Sequence, residues 1–181
     1  MKIRMKTHDV AFQFRMGAGF AGDVNRTHPA SIEPCLIDAT TPPTAFGQAV
    51  LVTATQGVRP YSTADANDTV ASTAWGVTVR PYPFQQSSTS NFGEAAIGSA
   101  TPPTTGVIDV LRAGYIMGKV PAGQTPKKSD PVYVWCTASV GVHVQGGFEA
   151  AADPLDTVKL ANATFNGSPD ASGNVEICFN V

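Results

Sequence analysis

No stretch of twelve residues in this chain carries apolar side chains at the three-and-four spacing of an amphipathic helix. What recurs instead is short runs rich in Val, Ile, Thr and aromatic residues, each closed by Gly, Pro, Asn or Asp. A parallel α/β sheet needs helical crossovers between its strands, and this chain has no segment to make them. Turn-punctuated runs at spacings of roughly 10–20 residues are how an all-β chain reads. Strands are therefore predicted at residues 47–55, 74–80, 106–112, 114–120, 131–137 and 141–145. A final pair is predicted within residues 157–181, joined by the turn formers Asn166, Gly167, Ser168, Pro169, Asp170, Ser172 and Gly173. In the last run Val175, Ile177, Phe179 and Val181 alternate with Glu176, Cys178 and Asn180, the period of a half-buried strand. That strand is expected to reach the final residue and to lock the terminus into the domain. The expected fold is a compact Greek-key or jelly-roll-like barrel or sandwich of about eight short strands, carrying an extended N-terminal arm.

Residues 1–44 read as that arm, and residues 45–181 as one β-domain with a Ser/Asn/Gly-rich surface loop at 85–105. At the start, Lys2, Arg4 and Lys6 alternate with Ile3 and Met5, so an extended segment there has one basic face. The first fifteen residues carry +3, which leaves −5 for the remainder of a chain whose net charge is −2. Pro29, Pro34, Pro42 and Pro43 are expected to discourage regular structure along the arm. No apolar run of 7–15 residues follows the basic start, so neither a signal peptide nor a membrane span is expected.

Charged residues make up 14% of the 181, against about 25% in ordinary globular chains. Such a surface suits a protein that covers itself with other protein. The slightly acidic balance argues against general nucleic-acid binding. Cys35, Cys136 and Cys178 are far apart, with no C-x-x-C spacing, and are expected to be reduced thiols in a chain made in the cytoplasm.

Chemical motifs are few. Residues 17–22 spell G-x-G-x-x-G, but the sequence after it ends in His28-Pro29 and cannot supply the helix whose N-terminus would hold a pyrophosphate. His8, His28 and His143 are too scattered for H-x-H or H-E-x-x-H metal spacing. His143, between Val142 and Val144, is expected to face outward. Ser139, His143 and Asp130 form a triad only on paper, because no nucleophile elbow accompanies them. No cofactor or metal is expected. Trp75 and Trp135 read as core, whereas Tyr61, Tyr82 and Phe84 sit beside arginines and prolines as interface aromatics would. With Trp135, Tyr61 and Tyr82 would equally serve as stacking surfaces of a glycan- or receptor-binding β-module.

Several runs together resemble the capsid cement, or head decoration, proteins of tailed bacteriophages: Gly57-Val58-Arg59-Pro60-Tyr61, Gly76 to Pro83, Val110 to Met117, Asp130 to Trp135, Gly146 to Ala150, and Ala163-Thr164-Phe165 with the closing residues 170–181. The resemblance spans residues 17–181, and the first sixteen residues match no motif. It implies a non-enzymatic virion protein that forms homo-oligomers, expected as trimers, on the outside of the head and clamps major capsid protein subunits together. On that reading the capsid and oligomer contacts would come from Lys2, Arg4, Lys6, Phe12, Phe14, Arg15 and Phe20 of the arm, and from Tyr61, Tyr82 and Phe84 of the domain. Phe12 and Phe14 would anchor strand addition to a neighbour's edge.

Overall fold

A computed structural model describes residues 19–62, 73–81 and 101–181. These residues form nine strands and no helix. The strands are β1 (Ser31–Ile37), β2 (Ala49–Val52), β3 (Gly57–Pro60), β4 (Gly76–Thr78), β5 (Val107–Lys119), β6 (Pro131–Trp135), β7 (Phe148–Glu149), β8 (Thr157–Phe165) and β9 (Asn174–Phe179). They join in one mixed sheet ordered β1-β3-β2-β4-β5-β9-β8-β6-β7. A further pairing of β1 with β5 closes the first five strands into a ring, which leaves β9, β8, β6 and β7 as a wing. Closure shortens the edge that would otherwise have to be shielded, although β1 meets β3 only at Leu36 and Ile37. The all-β, barrel-like class is thus the one the turn-punctuated pattern predicts.

The strand that holds ring and wing together is β5. Its first half pairs with β1 and β4, and its second half, Gly114 to Lys119, pairs with β9. The change of partner falls at Gly114, whose φ of +137° lies in a region that side chains with a Cβ avoid. The sequence reads as two runs meeting at Ala113-Gly114; they are one thirteen-residue strand bent at that glycine. Two apolar cores form. Ile37, Phe46, Val50, Val58, Ile108 and Val110 pack within the ring, whereas Leu111, Ile116, Phe148, Leu160, Ile177 and Phe179 belong to the larger core shared with the wing. Each such side chain contributes about 1.5–3 kcal/mol on burial.

The C-terminal pair forms as its pattern predicts. Asp170 Oδ1 accepts from the amides of Ser172 and Asn174 at 2.8 and 2.9 Å, and Gly173 supplies a φ of +83°. Val175, Ile177 and Phe179 are buried. The strand, however, stops at Phe179: Asn180 turns to a φ of +52° and Val181 is 63% exposed, so the last residue lies outside the buried face.

Other expectations need correction. Residues 31–37 are regular despite Pro34, because β3 pairs only with Leu36 and Ile37 and leaves the outer side of Pro34 as an open edge, where a missing N–H costs nothing. The described part of the segment read as an arm therefore contributes a strand to the sheet. Residues 141–145 are no strand; Val140 and His143 make an isolated bridge within a turn. Neither β3 nor β7 is predicted, since four residues ending in proline and two residues are too short to show alternation.

Candidate interaction surfaces

The alternation of β1 turns Ile37 into the ring and Ile32, Pro34 and Leu36 outward. Leu36 lies directly opposite Val107 on β5, and these two are 58% and 56% exposed. With Ile32 at 45% they form an apolar stripe along the outer wall of the ring. Backbone pairing to β5 along most of β1, and to β3 at its end, holds the stripe rigid. On the alternate side, Glu33 meets Arg112 at 3.2 Å, and the Arg112 guanidinium lies 3.3 Å from the centre of the Trp75 ring while donating to the Trp75 carbonyl. Trp75, expected in the core, is 39% exposed, with Arg112 covering one face of its ring. Burial pushes the neighbouring Cys35 thiol up, and the Glu33 charge adds to the shift. Cys35, Cys136 and Cys178 are all free thiols.

The N-terminal segment is clasped onto β5 and β9. The Gly22 amide donates to the Met117 carbonyl at 2.7 Å, the Met117 amide to the Asp23 carbonyl at 2.9 Å, and Val24 bridges Ile116. Glycine is required at position 22, where a Cβ would stand 2.7 Å from that of Phe46 and 2.9 Å from the Arg80 nitrogen. Residues 20–24 thus form a tight turn and a β-bridge, not the helix a dinucleotide site needs. Arg26 grips Glu176 through Nε and Nη2 at 3.2 and 2.7 Å and lies 4.0 Å from the centre of the Tyr115 ring. Burial alone would raise the Glu176 carboxyl, but hydrogen bonds from Arg26 and Asn166 hold it below its ordinary value. A depressed carboxyl stabilises the folded form above its unfolded pKa and loses that contribution as pH falls through the folded one. Acidification below about pH 4 is therefore expected to loosen the clasp before the core. Amide exchange at Gly22 and Met117, compared with Ile177 across pH 3–7, checks this. Equal acid acceleration at all three would contradict it.

The sequence-predicted contact residues fall unevenly. Phe20 is 39% exposed, with the Arg80 guanidinium 4.7 Å from its ring centre. Tyr61 is 1% exposed: its ring completes the larger core, so it has no surface to offer a partner. Lys2, Arg4, Lys6, Phe12, Phe14, Arg15, Tyr82 and Phe84 lie outside the described residues. Trp135, the other stacking candidate, is 5% exposed, and its ring is covered by His143 at a centroid distance of 4.3 Å. The glycan-stacking reading thereby loses two of its three aromatics. His143 is half-buried rather than outward-facing, with Nδ1 2.7 Å from Glu149 Oε1. Ser139 Oγ accepts from the Gln145 amide, and the Asp130 carboxylate from the Lys127 amide. The three members of the paper triad each have a different partner. Among the described residues no three His, Cys, Asp or Glu side chains are grouped to hold a metal ion. The β1 stripe escaped sequence reading because Pro34 masked the strand; the alternation of Ile32, Pro34 and Leu36 was its only signal.

A family model described as XM1 gp53 minor capsid protein matches residues 10–179. Among solved structures, a chain in the capsid of the Myoviridae phage XM1 is similar, with a TM-score of 0.64 and 19% identity over 97% of this chain and 98% of that one. At that identity the likeness speaks for the fold. No curated protein matches the chain.

Proposed function

This chain belongs to the XM1 gp53 minor capsid protein family and is a virion protein of a phage capsid, and from that premise we propose that it acts as a cement protein on the outside of the head. In this reading it binds the major capsid protein, associates with further copies of itself as a trimer, and stabilises the shell without catalysis. The observation that carries the reading is the exposed stripe of Ile32, Pro34, Leu36 and Val107 on a strand too well paired to rearrange. Rigid apolar surface of this kind gains free energy on burial without a large ordering cost. Lys2, Arg4, Lys6 and Arg15 add a basic segment to a domain that is otherwise net acidic. Each contact can be modest, because a trimer engaging several joints gains avidity of about 10²–10⁴-fold.

The test adds purified protein to heads that lack it and measures occupancy and the temperature of DNA release. Saturable binding with release at higher temperature is expected. Binding without any gain in heat resistance would remove the cement role while keeping the capsid location. A companion variant should delete residues 1–18 only, since a cut as far as residue 34 would remove half of β1. Its occupancy is expected to fall if the basic segment contributes to holding the shell.

A further inference from the structure

For most of its length β1 is an edge strand. β5 pairs with it from Ser31 to Leu36, whereas β3 begins at Gly57, opposite Leu36, and so leaves Ser31 to Cys35 without a neighbour on that side. Backbone groups of successive strand residues point to opposite sides of the strand. The Ile37 amide donates to the Gly106 carbonyl just before β5, and the Asp38 amide to the Val58 carbonyl of β3, at 2.9 and 3.0 Å. Counting back from these two, Glu33 and Cys35 turn their backbone groups toward β5, and Ile32 and Pro34 turn theirs toward the vacant side. The Ile32 N–H, the Ile32 carbonyl and the Pro34 carbonyl therefore face outward, and none of them pairs with a strand among the described residues. At the opposite end of the sheet, β7 is capped by Gln124, which accepts from the Ala150 amide and donates to Glu149.

The apolar stripe beside this open edge carries one charge. Asp109 lies directly opposite Pro34 in the β1–β5 register, hence on the same outer face, and is exposed. Among the described residues its carboxylate meets no cation and accepts no hydrogen bond, whereas Glu33 is neutralised by Arg112. A partner that covers Ile32, Leu36 and Val107 also covers Asp109, and a carboxylate taken out of water unpaired is costly. The occupant must therefore bring a cation to this point and apolar groups around it. A second copy of the same edge fails on both counts. It would set one Asp109 near another and place two prolines in the shared ladder.

We propose that the open edge of β1 takes an extended segment of the major capsid protein, added as a strand, with a Lys or Arg side chain laid over Pro34 onto Asp109. Apolar residues two positions to either side of that cation pack on Ile32 and Leu36. An added strand lies two strand spacings, about 10 Å, from β5, a gap that an extended basic side chain and the Asp109 side chain span together across the flat proline ring. Pro34 has no N–H to give, so the main chain supplies three bonds at most. The addition is short, and its specificity comes from the side chains. The choice of partner rests on the cement reading above; the open edge and the unpaired carboxylate do not.

The experiment binds the full-length protein to heads that lack it and reads amide exchange residue by residue, free and bound, by mass spectrometry with electron-transfer fragmentation. The Ile32 amide is expected to slow by roughly tenfold or more on the head, while the Glu33 and Cys35 amides, already turned to β5, change by less than about twofold. In parallel, Asp109→Asn and Asp109→Lys, each checked for an unchanged melting temperature, are expected to bind heads about 10-fold and 100-fold more weakly. The parent's loss of affinity between low and high salt should shrink in Asp109→Asn, because the screened pair is gone. If the parent binds heads but its Ile32 amide exchanges as before, or if Asp109→Lys binds as tightly as the parent, the proposal is overturned and the cement role stands. If the parent does not bind heads at all, both fall. The exchange measurement needs no variant, so it decides the matter even where a substitution disturbs folding.

Discussion

Gly114→Ala is expected to lower stability by about 3 kcal/mol, the sum of a strained backbone and an overpacked contact. Position 114 combines two demands on the residue that occupies it. Its φ of +137° is one that side chains with a Cβ rarely adopt, and a Cβ built there would stand 2.7 Å from the Pro29 carbonyl oxygen and 3.2 Å from the Ala30 Cα. Those neighbours are backbone of the segment leading into β1, so they have no side chain that can swing aside. For a chain of this length the loss corresponds to a fall in melting temperature of about 10 °C. The neighbouring pairings add a distinguishing signature. The strain falls where β5 changes partner, so amide exchange should rise most at Ser31 and Ile32 of β1 and at Phe179 of β9, rather than at Val134 in the wing. Gly76→Ala offers a comparison without the backbone component. Its φ is ordinary, yet a Cβ there would lie 2.3 Å from Val110 Cγ1 and 2.7 Å from the Leu111 oxygen, so it should cost about 1–3 kcal/mol through β4 and β5 alone. A Gly114→Ala protein as stable as the parent would mean that the two halves of β5 are not braced against the N-terminal segment.

Why these glycines matter also explains what could be read from the sequence. The all-β class was legible because helical periodicity is missing throughout and because Val, Ile and Thr recur in short runs between turn formers. The β8–β9 pair was legible in detail: Val175, Ile177 and Phe179 bury as their spacing predicts, and Asp170 and Gly173 form the turn. Long-range closure was not legible. The pairing of β1 with β5 joins residues more than seventy positions apart, and no local propensity records it. Pro34 read as a breaker because proline removes a donor, but that donor would have pointed at an open edge. Tyr61 next to Arg59 and Pro60 resembled an interface aromatic, whereas its ring is buried in the larger core. Trp75 showed the reverse error. Hydrophobicity alone placed it in the core, and the Arg112 guanidinium lets it lie at the surface with one face covered. The clasp of Arg26 on Glu176 spans 150 positions and was equally beyond sequence reading.

The surface stripe yields the second large effect, and it separates a contact role from a folding role. Changing Leu36→Lys together with Val107→Glu removes the directly opposed apolar pair of the stripe while placing opposite charges across the β1–β5 register. Opposed charges at a cross-strand pair are neutral to mildly stabilising, so the melting temperature should stay within about 2 °C of the parent. Binding should not survive so well. Each lost apolar side chain forfeits about 1.5–3 kcal/mol of burial against a partner, and the new charges must be desolvated as well. The pair is therefore expected to weaken occupancy on heads by about 100-fold or more. Leu155→Lys serves as the control, since Leu155 is more exposed still, at 86%, yet stands alone in a loop outside the stripe. An isolated exposed leucine needs no partner to explain it, whereas apolar residues aligned along a paired strand do. Loss of occupancy in the double variant with the control unaffected would identify the outer wall of the ring as the capsid-facing surface. Equal occupancy in all three proteins would remove the stripe from the interface and leave the N-terminal segment to hold the head.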